Sequence, residues 1–133
     1  MKIVADTNVF MAVALGEPER NSIVTATRGA ELIAPDILPY EIGNALSSLF
    51  RRGILSQAQM RSTWEATRRI PVEFRPVDIR RALDIAVQHR IYAYDAYYIE
   101  CAIRAGCPLL TLDRRMRVIA ESMRIEIVKT GGA

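Results

Sequence analysis

The stretch Lys2-Ile3-Val4-Ala5-Asp6-Thr7-Asn8 shows how the fold begins. Its first four residues form a short, mainly β-branched apolar run, and the polar residues from Asp6 to Asn8 end that run. Apolar side chains then recur at helical spacing, at Val9, Phe10, Val13 and Ala14. This change of period predicts a strand, a turn and a helix.

Short apolar strands alternate with helices along the rest of the chain. Further strands are expected at residues 32–34, 72–74, 108–112 and 125–128, and further helices at about 18–28, 36–51, 56–69, from 78, 94–104 and 113–122. The helices within residues 36–69 should form a hairpin, the second of them starting with a capping box at Ser56. The alternation predicts a three-layer α/β/α sandwich with a short, mainly parallel central sheet, as one domain over residues 1–130 and a tail at 131–133.

Composition excludes several classes of protein. Half of the 133 residues are apolar and a quarter are charged, which is typical of a globular domain and not of a disordered chain. The longest apolar run, from Val9 to Leu15, is far shorter than a membrane span, and Asp6 and Asn8 interrupt the N-terminal stretch, so neither a membrane span nor a signal peptide is expected. The two cysteines, Cys101 and Cys107, are expected to be free thiols. We therefore expect a cytoplasmic protein. The net charge of +3 does not by itself indicate a nucleic-acid partner.

Four acidic residues lie where a parallel sheet presents its ligand-binding edge. Asp6 and Asp113 each follow a strand and precede a helix, and Asp95 is at the start of a helix, so each could simply be an N-cap. Asp95 also precedes apolar residues at positions +4 and +7, which predicts that it points inward. Glu41 lies beside the apolar stripe of its helix, and its alternative interpretation is a half-buried glutamate paired with an arginine.

Converging carboxylates repel one another unless a cation holds them ionised. A single histidine and the absence of a Cys/His cluster argue against zinc, whereas carboxylates suit Mg²⁺ or Mn²⁺. Thr7, Asn8 and Thr111 are candidates to orient the carboxylates or a water, and Tyr98 lies on the same helix face as Asp95. No glycine-rich phosphate loop occurs, so no nucleotide cofactor is expected.

Four segments together resemble the PIN domain, and in particular its VapC-type toxins. They contain the D-T-N strand end, the inward helical Glu, the Y-D-A-x-Y helix start and the L-T-x-D strand end, at residues 3–8, 39–46, 94–98 and 109–113. The resemblance implies a metal-dependent endoribonuclease with Asp6, Glu41, Asp95 and Asp113 as catalytic and metal-binding acids. It implies attack on an RNA phosphodiester by a metal-activated water, leaving 5′-phosphate and 3′-hydroxyl ends.

Arginines follow the last acid, where some PIN domains carry a further one. A single ion held directly by Asp6 and Asp95 is therefore expected, and sequence leaves open whether Glu41 or Asp113 orients the water. Arg114 and Arg115 are expected to hold RNA phosphates.

The resemblance also implies a cognate small antitoxin protein and a homodimer. Leu49, Phe50 and Trp64 of the hairpin are the candidate antitoxin contacts, with core packing as their simpler role. The tyrosines around Asp95, at 92, 94, 97 and 98, could stack on RNA bases or hydrogen-bond a ligand carboxylate, although such residues more often pack. His89 is expected to be a surface or helix-capping residue. The alternatives are a related DNA- or RNA-processing nuclease and a non-catalytic PIN module that binds RNA or protein.

Overall fold

The computed structural model describes residues 1–130, so the expected tail at 131–133 lies outside the described residues. Four strands and seven helices alternate along this part of the chain. They are β1 (Lys2–Ala5), α1 (Thr7–Leu15), α2 (Arg20–Ala26), β2 (Glu31–Pro35), α3 (Leu38–Arg51), α4 (Gln57–Arg68), β3 (Glu73–Arg75), α5 (Ile79–His89), α6 (Ala93–Ala105), β4 (Leu109–Leu110) and α7 (Arg114–Ser122).

The strands form one parallel sheet in the order β3-β2-β1-β4. Val4 of the central strand is in register with Ile33 on one side and with Leu109 on the other. Because the strands are parallel, the chain leaves β1 and β4 at the same edge of the sheet. The expected three-layer α/β/α fold with a parallel sheet flanked by helices is confirmed.

The central strands and α6 are the most buried elements. Ile3, Val4 and Ala5 are fully buried, as are Leu109 and Leu110. Strands covered on both faces are expected to be continuously apolar, and the buried residues of β1 and β4 are apolar without interruption. Helix α6 packs against β1 and β2, so its position relative to the sheet edge is fixed by the core.

Helices α3 and α4 pack against each other over the range expected for the hairpin. The capping box predicted at Ser56 is present: the Ser56 Oγ accepts from the backbone N–H of Gln59, and the Gln59 side chain accepts from the backbone N–H of Ser56. None of the helices within residues 1–130 is long and apolar enough to cross a membrane.

The two C-terminal strands are shorter than expected. β4 contains two residues where residues 108–112 were expected, and the expected strand at 125–128 is reduced to one parallel bridge between Leu109 and Ile127. Because β4 has only two residues, it can form very few backbone hydrogen bonds with residues 125–128. Both of these bonds are at Leu109: its N–H donates to the carbonyl of Glu126, and its carbonyl accepts from the N–H of Val128.

Candidate active site

A cleft of about 370 Å³ opens at the edge of the sheet where β1 and β4 end. Asp6, Glu41, Asp95 and Asp113 all line it, although they come from four separate parts of the chain. Asp6 follows β1, Asp113 precedes α7, and Glu41 and Asp95 lie in the first turns of α3 and α6. The structure therefore brings together the four acids singled out in the sequence.

Asp6 is the most buried of the four acids, with 3% of its surface exposed. Its Oδ1 accepts from the backbone N–H of Val9 at 3.2 Å, and its Oδ2 accepts from the Thr111 hydroxyl at 2.5 Å. Burial raises the pKa of Asp6 from 3.8 to about 6, against the lowering effect of these two hydrogen bonds. The negative charges of Asp113 and Asp95 raise this pKa further.

Asp113 and Asp6 are both helix caps and cleft residues. The Asp113 Oδ1 accepts from the N–H of Met116 at 3.0 Å, which caps α7, and the N–H of Asp113 donates to Thr111 Oγ1 at 3.0 Å. Thr111 therefore connects the two acids through one hydroxyl. The capping interpretation is correct for both residues, and it does not compete with a place in the cleft.

Glu41 is held by two hydroxyl groups and not by an arginine. Its Oε1 accepts from Tyr98 at 2.7 Å and from Thr7 at 3.1 Å, and the two hydroxyl oxygens lie 2.8 Å apart. Burial raises the pKa of Glu41 above 4.5, while both hydrogen bonds lower it. Burial also raises the pKa of Tyr98, so that its hydroxyl stays protonated and donates. The arginine-paired alternative for Glu41 is wrong.

Asp95 is not a helix cap. It is the third residue of α6, whose N-cap is Tyr92, so the capping alternative is wrong here. Burial raises the pKa of Asp95 above 3.8, and the charge of Asp113 adds to this rise, whereas Arg115 lowers it. Both charges lie near this carboxylate: Asp113 lines the same cleft, and Arg115 lines the neighbouring depression together with Asp95.

None of the ion pairs among residues 1–130 involves one of these four acids. Glu100, a buried acid that the sequence analysis missed, shows the contrast. Its Oε2 lies 3.0 Å from Arg104 Nε, and its Oε1 accepts from the N–H of Asp78 at 3.0 Å. The only sequence signal for Glu100 was its i,i+4 spacing from Arg104. A buried acid elsewhere in the fold is thus neutralised by an arginine, and the cleft acids are not.

The carboxylates are oxygen ligands of the kind that Mg²⁺ and Mn²⁺ prefer. As the side chains stand, residues 1–130 contain no group of three or more His, Cys, Asp or Glu side chains that could hold an ion. The donor set nevertheless fits a divalent cation, because four acids without a paired cation share one cleft and burial raises the pKa of three of them.

The remaining candidates differ in their distance from the cleft. Asn8 lines it and is exposed, whereas Arg114 does not line it. Arg115 lies in a shallow depression beside Asp95, and its Nη2 donates to the carbonyl of Arg90 at 2.9 Å. Neither arginine therefore lines the cleft itself: Arg114 is exposed on α7, and Arg115 lies beside Asp95 with one N–H bonded to a backbone carbonyl, so binding of RNA phosphates by the two stays a prediction.

The sequence analysis also missed several residues of the cleft. Tyr40 and Asn44 line it from α3, at −1 and +3 from Glu41, and Met116 lines it from α7; of the tyrosines considered around Asp95, Tyr94 and Tyr98 line it from α6. The helical spacing of Tyr40 and Asn44 from Glu41 is the sequence signal that could have identified them.

His89 is half-buried and is not the C-cap that the sequence predicts. Arg90 is the C-cap of α5, and His89 Nε2 is buried without a hydrogen-bond partner in the part of the chain described.

The sequence is similar to known proteins over most of its length. A family profile described as PIN domain matches residues 3–122. Ribonuclease VapC3 of Pyrobaculum aerophilum is 31% identical over 121 residues, which cover 87% of this chain and 92% of that protein.

Solved structures share the fold at lower identity. The crystal structure of PAE2754 from Pyrobaculum aerophilum is similar with a TM-score of 0.68 and 23% identity, over 92% of this chain and 95% of that one. VapBC2 from Rickettsia felis, bound to a DNA fragment from its promoter, has a TM-score of 0.66 and 14% identity, over 96% and 97% of the two chains. FitAcB from Neisseria gonorrhoeae has a TM-score of 0.61 and 17% identity, with the same coverage. The chain belongs to the PIN domain family.

Proposed function

We propose that this protein is a VapC-type endoribonuclease that depends on Mg²⁺ or Mn²⁺ and acts in the cytoplasm as the toxin of a toxin–antitoxin pair. Its similarity to ribonuclease VapC3 over most of both chains supports the reaction class. The observation that carries the proposal is the cleft, in which four carboxylates from distant segments converge without a cationic partner.

The four acids divide into two roles. Asp6 and Asp95 hold the divalent ion, as the resemblance to VapC-type PIN domains implies; both carboxylates line the cleft, and burial raises the pKa of both. A bound ion supplies positive charge to the nonbridging phosphate oxygens and makes a nearby water more acidic. Glu41 or Asp113 orients the attacking water, which displaces the 3′ oxygen and leaves a 5′-phosphate.

The neighbouring hydroxyl groups fix the carboxylates. Tyr98 and Thr7 both donate toward Glu41, so its carboxylate is held from α6 and α1 together. Thr111 does the same for Asp6. Such second contacts reduce the number of orientations that a carboxylate can adopt before substrate binds. Asn8 lies at the cleft surface, where its amide can meet the substrate or a water.

Arg115 binds an RNA phosphate beside Asp95, and Arg114 contacts the strand further from the cleft. Support for Arg115 comes from its exposure and its electrostatic effect on Asp95. Its bond to the carbonyl of Arg90 orients the guanidinium and leaves other N–H groups free, because the group carries five.

The antitoxin occupies an apolar groove of about 460 Å³ that is lined by Trp64 of α4, by Leu38 and Ile42 of α3 and by Phe10 of α1. Two solved structures that share the fold, VapBC2 and FitAcB, are toxin–antitoxin complexes, which supports such a partner. Of the other two candidate contacts, Phe50 is 45% exposed on α3 and does not line this groove, and Leu49 packs against the core. We also propose a homodimer, to be tested by light scattering.

The test is cleavage of a total-RNA pool by purified protein in Mg²⁺, in Mn²⁺ and in EDTA, with mapping of the ends. The test variant is Asp95→Asn, which removes one charge at nearly constant volume. The matched control is Asp84→Asn, an exposed aspartate on α5 outside the cleft.

Metal-dependent cuts with 5′-phosphate ends, lost in Asp95→Asn and kept in Asp84→Asn, are expected. Cleavage by Asp95→Asn at the wild-type rate would refute the site. A folded wild-type protein that binds RNA without cutting it would favour the non-catalytic module, and cleavage of DNA alone would favour the processing nuclease.

A further inference from the structure

Two of the cleft acids are directly preceded by a tyrosine that lines the same cleft. Tyr40 precedes Glu41 on α3, and Tyr94 precedes Asp95 on α6. Successive residues of a helix point about 100° apart, so a helix that turns its acid inward places the preceding side chain beside the opening. Two separate helices therefore repeat the same arrangement.

Both tyrosines are exposed. Tyr40 has 80% of its surface exposed and Tyr94 has 58%. Tyr94 makes an edge-to-face contact with Tyr97, with ring centroids 5.8 Å apart and planes at 89°. This contact holds the Tyr94 ring from one side and leaves other parts of it exposed. Neither hydroxyl has a hydrogen-bond partner among the residues described, so no hydrogen bond within that part of the chain explains why the two rings lie at the cleft.

We propose that Tyr40 and Tyr94 are base-stacking residues, which hold unpaired RNA bases on the two sides of the phosphate bound at the acids. The inference rests on the proposed function and deepens it, because it names the residues of the cleft that contact the bases. The two rings come from different helices, α3 and α6, so each can hold its own base.

Stacking on a protein ring requires an accessible base face. In a duplex, each base is stacked between its neighbours and paired on its edge, so its faces are not available. An unpaired base can turn out of the strand and stack on an aromatic side chain, whatever its identity. Tyr40 and Tyr94 therefore contribute affinity for unpaired bases and little sequence preference.

The test is fluorescence anisotropy in EDTA, which measures binding without metal-dependent cleavage. The probes are a short labelled single-stranded RNA of mixed sequence and the duplex of that RNA with its complement. Tyr40→Leu and Tyr94→Leu remove the aromatic face, whereas Tyr40→Phe and Tyr94→Phe keep it. Phe74→Leu, an exposed aromatic residue of β3 outside the cleft, is the matched control.

Each leucine variant is expected to bind the single strand about five-fold or more weakly, as is usual when a base loses its aromatic partner. The phenylalanine variants and Phe74→Leu are expected to bind like wild type, and binding of the duplex is expected to be unchanged by any of them. Circular dichroism confirms that each variant is folded.

Equal affinity of wild type and the Tyr40→Leu, Tyr94→Leu double variant for the single strand would overturn the inference. An equal loss for single strand and duplex would also overturn it. These outcomes are separable from failure of the proposed function, because that failure is an absence of RNA cleavage by wild type in Mg²⁺ or Mn²⁺.

Discussion

Replacing Asp6 by asparagine should stabilise the fold in the absence of metal while abolishing activity. Burial raises the pKa of Asp6 from 3.8 to about 6, which corresponds to about 3 kcal/mol of unfavourable free energy for the ionised form. Asparagine carries no charge and can keep the cap to Val9. It disturbs the hydrogen bond with Thr111, at a cost of about 1 kcal/mol. The expected net gain is about 2 kcal/mol.

The gain depends on pH in a defined direction. Because the folded-state pKa of Asp6 lies above its ordinary value, the folded protein binds this proton more tightly than the unfolded chain does. The stability that wild type derives from this group is present below pH 4 and is lost as pH rises through 6. Asp6→Asn should therefore be about 0.5 kcal/mol less stable than wild type at pH 4, where little of the charge cost remains, and about 2 kcal/mol more stable at pH 8, with the same hydrogen-bond loss at both.

The assay is urea unfolding of wild type and Asp6→Asn in EDTA at pH values from 4 to 8. Asp84→Asn, an exposed position, is the control and should follow wild type. In a second series, Mg²⁺ or Mn²⁺ should stabilise wild type more than Asp6→Asn, because a ligand that binds only the folded state adds to its stability.

A lower stability of Asp6→Asn at pH 8 in EDTA would refute the reasoning. It would mean that the ionised carboxylate, with its cap and its bond to Thr111, stabilises the apo protein more than its burial destabilises it. An advantage that does not change between pH 4 and pH 8 would also refute it, since the effect would then not come from the charge of Asp6.

Two further predictions concern single contacts. Tyr98→Phe removes one of the two donors that hold Glu41. The rate of RNA cleavage, measured by a time course, should fall about ten-fold, and the free energy of unfolding, measured in urea, should fall by about 1 kcal/mol. Tyr97→Phe should leave both values unchanged. Arg104→Leu removes the cation from the buried Glu100 and should lower the free energy of unfolding by about 2 kcal/mol at pH 7, without a change in RNA binding; an unchanged urea midpoint would contradict this.

The sequence was sufficient to predict the strand–helix alternation and the four acids of the cleft. Both could be predicted from local sequence patterns. The apolar run before Asp6 and the spacing around Glu41 are properties of a few neighbouring residues, and a parallel sheet brings the ends of its strands to one edge.

What the sequence could not predict depends on contacts between distant segments. The apolar residues at 125–128 form a single bridge because their neighbour β4 is so short. Glu100 looks like a surface residue in a helix, and it is buried because α5 packs against α6. Arg115 donates to a carbonyl of the α5–α6 connection, which only the folded chain brings near it. The exposure of Tyr40 likewise follows from tertiary structure.

The bond between Thr111 and Asp6 joins residues 105 positions apart in the chain. The central strand β1 also needs β4, which is made late in synthesis, as its neighbour. A ribosome adding about 5 to 20 residues per second takes roughly 5 to 20 s to reach that point. A nascent or truncated chain that stops before Leu109 lacks one of the four carboxylates and one side of the sheet. Translation itself therefore delays the appearance of the complete cleft until the chain is nearly finished.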